Sequence, residues 1–259
     1  MFRRILIPTD FSTASEWVFD DAVRIAGVSG AELVIVHVRM TRTSNPDELR
    51  FPADSSLYEY AEQQELDRLR ERVRRANASL ATRLIVRQGS EPGREISEVV
   101  TEEHADLIVI ATHARHHVAH LFVGSTTVSV LDAPPCPVLA IRYGIRKRPG
   151  LRRLVVPVHL EQKSRAALDL AARIGDDVHL VIVCDEDDTA RAEALLGELS
   201  ASLRNPRTAV LQGSDADKEI VRYASRVDAD AIFLNASRGP SEGKLDIVRH
   251  ATVPVMIVP

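Results

Sequence analysis

Several things are scarce in this chain, and each scarcity excludes something. Only two of its 259 residues are cysteine and no Cys-x-x-Cys occurs, which excludes a disulfide scaffold. No apolar run approaches the roughly 20 residues of a bilayer span; Leu107 to Ala111 is typical of the longest. No apolar stretch follows Met1, because Arg3, Arg4, Pro8 and Asp10 interrupt it. No signal peptide is therefore expected, and the cytoplasm is the expected compartment. Charge of one sign is also lacking. The formal net charge is −4 and the pI about 6.2, so no basic field draws nucleic acid or anionic lipid. Lysine is absent before Lys147. Any anion bound by the first half has to be met by arginine, histidine, backbone or a metal. What is present is an apolar share of 45%, ordinary for a globular protein and too high for a disordered one.

The chain repeats itself. Arg3-Arg4-Ile5-Leu6-Ile7-Pro8-Thr9-Asp10 recurs as Arg152-Arg153-Leu154-Val155-Val156-Pro157-Val158-His159, an offset of 149. The run Leu33 to Val38 matches Leu180 to Asp185 at 147. Gln88-Gly89-Ser90 and Ala105 to Ile110 recur as Gln212-Gly213-Ser214 and Ala229 to Leu234 at 124. Cys136-Pro137-Val138-Leu139-Ala140-Ile141 recurs as Val253-Pro254-Val255-Met256-Ile257-Val258 at 117. An order kept through five segments marks two copies of one unit. The boundary falls in the cationic Arg142 to Gly150 stretch, giving units 1–147 and 148–259.

The matched segments are short, rich in Val, Ile and Leu, and lack polar alternation. Such runs suit parallel strands covered on both faces. Helical signals separate them. Thr13-x-x-Glu16 reads as a capping box, with Gly27 and Gly30 as stops. Residues 55–81 place Tyr58, Ala61, Leu69, Val73, Ala76 and Leu80 on one stripe, which reads as amphipathic cover for the sheet. Pro92 opens a third helix, and a fourth follows Gly124 and stops before Pro134. Strands alternating with helices imply an α/β fold wound by right-handed crossovers, each unit a five-stranded parallel sheet between helices. Ligands of such sheets bind beyond the carboxyl ends of the strands.

Two of those ends carry chemistry. Pro8-Thr9-Asp10 follows the first strand; Asp10 there is either a helix cap or a carboxylate for a ribose hydroxyl or a metal. After the fourth strand come Ala111-Thr112-His113-Ala114-Arg115 and then Gly124-Ser125-Thr126-Thr127. A Gly-Ser-Thr helix start offers N–H groups, hydroxyls and a helix dipole to an anion.

The Pro-Thr-Asp, the Ala-Asp-Leu-Ile-Val-Ile strand, the Thr-His-x-Arg turn, the Gly-Ser helix start and the Ala-Pro-Pro-Cys-Pro-Val-Leu ending together resemble the universal stress protein family. The resemblance covers about residues 1–142 strongly and 152–259 weakly, as in a tandem member with two Rossmann-like (adenine nucleotide alpha hydrolase-like) domains. It implies ATP as ligand, with magnesium or manganese. Asp10 would meet the ribose or the metal, and Thr9 and Val38 would line the adenine site with Pro8 and Ile110 beside them. Ala111 and Ala114 would back the ribose and phosphates, Arg115 would help to neutralise their charge, and Gly124, Ser125, Thr126 and Thr127 would bind phosphate oxygens. Ala111 and Ala114 replace the first two glycines of the family's Gly-x2-Gly-x9-Gly-Ser/Thr signature. In the second unit His159 replaces the acid, Asn235-Ala236-Ser237-Arg238-Gly239 replaces the turn, and no Gly-Ser pair follows, so no ATP is expected there.

Three functions stay open. The first is a stress-response module that binds ATP in its first unit and signals through an unknown protein partner or a homodimer. The second is a scaffold of the same fold without nucleotide. The third is a slow ATP hydrolase, against which stands the lack of a general base or phosphate-binding lysine. The His113, His116, His117 and His120 group has metal-ligand spacing if helical, but the resemblance makes that segment a loop, and zinc is not expected. Cys136 and Cys184 read as small buried hydrophobes. The fifth strands would otherwise be bare edges; because this strand pairs two subunits in single-copy members of the family, the resemblance implies that the two fifth strands pair antiparallel within one chain.

Overall fold

The computed structural model describes residues 2–40, 55–112, 123–147, 150–161, 165–201, 203–236 and 242–259. The first repeat runs β1 (Arg4–Thr9), α1 (Thr13–Ser29), β2 (Glu32–Met40), α2 (Ser55–Ala76), β3 (Thr82–Gly89), α3 (Pro92–Glu103), β4 (Leu107–Ala111), α4 (Ser125–Asp132) and β5 (Val138–Ile141). The second runs β6 (Arg153–Pro157), α5 (Ala166–Ile174), β7 (Asp177–Cys184), α6 (Thr189–Ser200), β8 (Pro206–Gln212), α7 (Ala216–Arg226), β9 (Ala231–Asn235), α8 (Glu242–His250) and β10 (Val255–Val258).

All ten strands form one sheet in the order β3-β2-β1-β4-β5-β10-β9-β6-β7-β8. Among the described residues every pairing within a repeat is parallel, and β5 and β10 alone pair antiparallel. The expected pairing of the fifth strands is thus present, and it merges two five-stranded sets into one sheet. Val138, Leu139 and Ala140 face Ile257, Met256 and Val255. Because Leu139 and Met256 are counterparts at offset 117, the junction has two-fold pseudosymmetry about that pair. The cores are shared too. One apolar cluster lies under α1, α2, α5 and α6, and the other, on the opposite face, under α3, α4, α7 and α8. Buried Lys244 of α8 donates to the Leu131 carbonyl of α4 at 2.8 Å, and burial pushes its pKa below the usual lysine range.

Each repeat closes its strand starts with the same clamp. Asp106 accepts from the backbone N–H groups of Arg3 and Arg4 at 2.9–3.0 Å. Asp230 accepts from those of Arg152 and Arg153, both at 2.9 Å. Arg4 Nε donates to Glu32 and Arg153 Nε to Asp177, and Arg4 pairs in register with Glu32 as Arg153 does with Asp177. This corrects the sequence match of the second strands. The counterpart of Leu33 is Val178, two residues before the Leu180 that the apolar run suggests. Sliding a Val/Leu/Ile run by two keeps every side chain on its face, so apolar identity cannot fix the register; the flanking acid does. We predict that Asp230→Ala, which orphans two N–H groups at a nearly buried site, lowers stability by about 2–3 kcal/mol. Urea denaturation checks this, and a loss under about 0.5 kcal/mol would show an idle clamp.

Three helix expectations also need correction. The cap of α1 is Ser12, whose Oγ accepts from Ser15 N at 3.3 Å; Thr13 is already the first helical residue. Gly27 is inside the helix, and Gly30, with φ 64°, ends it. Helix α2 stops at Ala76, and its buried stripe is Glu62, Leu66, Leu69 and Val73, with Ala61 and Ala76 exposed. Among the described residues no helix is long and apolar enough to cross a membrane.

Candidate functional site

Strand order places the crossover switch of the first repeat between β1 and β4, where a crevice opens at the carboxyl edge. A cleft of about 940 Å³ lies there.

One wall is the β1–α1 turn. Asp10 Oδ1 accepts from Ser12 N at 3.0 Å, so Asp10 sits before the helix cap and is not the cap itself. Thr9 Oγ1 accepts from Phe11 N at 3.1 Å. Phe11 has φ 57°, a left-handed conformation that costs an L-residue about 1–2 kcal/mol. The turn bond and a ring contact with His37, centroids 4.4 Å apart, hold it there. His37 is 3% exposed, and its Nδ1 lies 2.9 Å from the Thr9 carbonyl oxygen. A carbonyl only accepts, so Nδ1 carries the proton. Glu62 of α2 reaches the same wall, 3.8 Å from His37 Nε2. Both its oxygens are taken by Arg39 Nε and Nη2 at 2.9 Å, a bond that raises the Arg39 pKa further.

The other wall is the start of α4. Gly124 is its N-cap, with no side-chain cap, and its own N–H is taken by the Thr112 carbonyl at 2.9 Å. Val128 N donates back to Gly124 O at 2.9 Å, so the N–H groups of Ser125, Thr126 and Thr127 precede the first intrahelical bond. They point at the cleft end of the helix with the positive end of its dipole behind them. The Thr127 hydroxyl is committed otherwise: it is buried and donates to the Ala111 carbonyl at 2.8 Å. That bond fixes the corner between β4 and α4 and leaves the backbone N–H as the Thr127 donor for an anion. Ala111 causes no backbone strain, since the positive-φ non-glycine residues among those described are Phe11, His104 and Asp228.

Of the residues singled out in the sequence, Pro8, Thr9, Asp10, Val38, Ile110, Ala111, Gly124, Ser125, Thr126 and Thr127 all line this cleft. Ala114 and Arg115, and the histidines His113, His116, His117 and His120, lie outside the described residues. Sequence reasoning missed Phe11, His37, Tyr58, Glu62 and Tyr143, which also line it. His37 sits inside an apolar strand run, and Glu62 is one step off an alanine that fits the stripe as well, so neither stood out. Among the described residues no group of three or more His, Cys, Asp or Glu could hold a metal ion.

The second repeat is built differently at the matching edge. Asn235, the counterpart of Ala111, turns its Oδ1 to Ala167 N of α5 at 2.9 Å. An amide side chain thus occupies a position where the first repeat has only a methyl.

The cysteines differ from each other. Cys136 is buried, and burial pushes its thiol up to about 12. Cys184, expected to be buried, is only half-buried at the end of β7. We predict that iodoacetamide labels Cys184 in the native protein well before Cys136, because thiolate fraction and access both favour it. Peptide mapping decides the order, and equal labelling would contradict it.

Comparison with known proteins agrees with this architecture. The family model described as the universal stress protein family matches residues 1–142. A Staphylococcus aureus protein (strain USA300) named for the same family is 30% identical over 142 residues, covering 54% of this chain and 84% of its own. The structure of a universal stress protein from Archaeoglobus fulgidus superposes with a TM-score of 0.75 at 20% identity, covering 98% of this chain and 95% of that one. At that identity the likeness shows the fold alone, and it extends over both repeats. With the family match spanning more than half of the sequence and the doubled fold spanning the rest, the chain belongs to the universal stress protein family.

Proposed function

We propose that the first repeat, residues 1–147, binds one ATP in the β1/β4 cleft, and that the chain is a cytoplasmic stress-response module whose interactions depend on that nucleotide. The observation that carries this reading is the convergence on one cleft of the Asp10 turn and the uncapped start of α4. In this reading Thr9 and Val38 line the base, and Pro8 and Ile110 pack beside it. Asp10 accepts from a ribose hydroxyl. Ala111 backs the sugar, and the N–H groups of Ser125, Thr126 and Thr127 hold phosphate oxygens with the hydroxyls of Ser125 and Thr126. In this reading no acidic side chain is assigned to the phosphates, and Asp10 is the one carboxylate that could share a metal with them. A magnesium or manganese ion would therefore be held mainly by the phosphates and enter with the nucleotide. The second repeat, residues 148–259, binds no nucleotide; it covers the β5 edge. The measurement is titration calorimetry of the purified chain with ATP, which should give one site per chain. Absence of heat at millimolar ATP, with the protein folded, contradicts the reading.

A further inference from the structure

The segment joining the repeats does more than span a gap. Tyr143 follows β5 by two residues, is 45% exposed and lines the cleft. Its ring meets the edge of Trp17 of α1, centroids 5.2 Å apart. Lys147 Nζ stands over the Trp17 ring, 4.9 Å from its centroid. Its Nζ also bonds the Trp17 carbonyl and lies 3.3 Å from Asp21. Between them Gly144, with φ 81°, turns the chain, and Ile145 is buried in the core. Arg142, on the other side of Tyr143, donates to the Arg249 carbonyl of α8 in the second repeat at 3.2 Å. The tyrosine thus packs on α1 of its own repeat, and the residue before it is tied to α8 of the other.

Its place in the cleft says what it can touch. Val38 is on β2, and Tyr143 comes off the end of β5. The sheet order puts three strand spacings between them, about 14 Å at roughly 4.8 Å each. A ligand with its base at Val38 reaches the β5 end with its far portion, which in a nucleotide is the phosphate chain. A tyrosine hydroxyl donates well to such an anion, in a half that contains no lysine before Lys147. Resting on the reading that the cleft binds ATP, we propose that Tyr143, supplied by the inter-repeat junction, hydrogen-bonds the terminal phosphates and makes the site select nucleoside triphosphate over monophosphate. Arg142 is a positioning residue that acts through Tyr143.

The chain has a single tryptophan, and it is the residue against Tyr143, so binding at the phosphate end is readable in its emission. ATP and AMP are titrated into the full chain and the variants Tyr143→Phe and Tyr143→Ala, by calorimetry and by Trp17 fluorescence. Wild type should change its emission with ATP and not with AMP. Both variants should bind ATP about tenfold more weakly, the scale of one hydrogen bond to a charged group at a partly open site, with AMP affinity unchanged. Arg142→Ala should weaken ATP and leave AMP alone, and Arg142→Lys should restore the ATP affinity. If wild type binds neither nucleotide, the ATP reading itself fails. If wild type binds ATP but Tyr143→Phe binds it equally well, or if AMP weakens as much as ATP, the role of Tyr143 is overturned. Unchanged far-ultraviolet dichroism and melting temperature of Tyr143→Phe keep a folding defect from imitating the result.

Discussion

Deleting residues 152–259 should turn a self-contained chain into a pair. In the whole protein Val138, Leu139, Ala140 and Ile141 are all buried, and β10 covers the outer edge of β5. Without β10, the first repeat presents an unpaired row of N–H and C=O groups on an apolar strand, a template for another chain. The register is foreseeable. The Leu139–Met256 pair lies on the pseudo-two-fold axis, so a second copy can place its own Leu139 opposite the first. Its Val138 then meets Ala140, as Ile257 and Val255 meet their partners now. Such an isologous contact closes on itself. Light scattering should therefore find a dimer, or aggregates where closure fails, and Leu139→Asp in the truncated chain should abolish the association. In the full chain Met256→Asp should cost more than about 4 kcal/mol, since it buries an unpaired charge at 0% exposure. A truncated chain that stays monomeric at high concentration contradicts this account of why the second repeat persists.

The second large effect belongs to the cleft. Asp10→Ala and Ser125→Ala should each weaken ATP binding by about 1–3 kcal/mol, roughly five- to 150-fold, the cost of losing a charged or buried hydrogen bond. Thr127→Val should behave otherwise. Its hydroxyl is buried and donates to the Ala111 carbonyl, so the variant removes that bond and should lower stability by about 1–3 kcal/mol. Calorimetry for binding and urea unfolding for stability separate the two patterns. Equal binding by wild type and Asp10→Ala would remove the carboxylate from the site.

Much of this architecture was legible in the residues, and the exceptions have physical causes. The repeat order and the Val/Ile/Leu runs revealed ten strands, because a parallel strand covered on both faces has little choice of composition. The apolar run of each fifth strand marked an edge that needs cover, and the family resemblance supplied the antiparallel junction. The register of β7 was not legible from the apolar run, since a period-two pattern is blind to a shift of two. The start of α1 was misplaced by one residue because Ser12 and Thr13 both fit a cap, and only the bond to Ser15 decides between them. The bond from the Thr127 hydroxyl to the Ala111 carbonyl crosses the corner between β4 and α4, and no local pattern announces it. The His37–Glu62–Arg39 wall joins residues from β2 and α2, and nothing local in either segment announces the other.

The most direct measurement of the central claim is mass spectrometry of the gently denatured, freshly purified 259-residue chain. The account predicts ATP or ADP released from the wild-type chain at up to one per chain, and much less from Asp10→Ala prepared in the same way. Wild-type protein that releases no adenine nucleotide and gains none after incubation with millimolar ATP would contradict it.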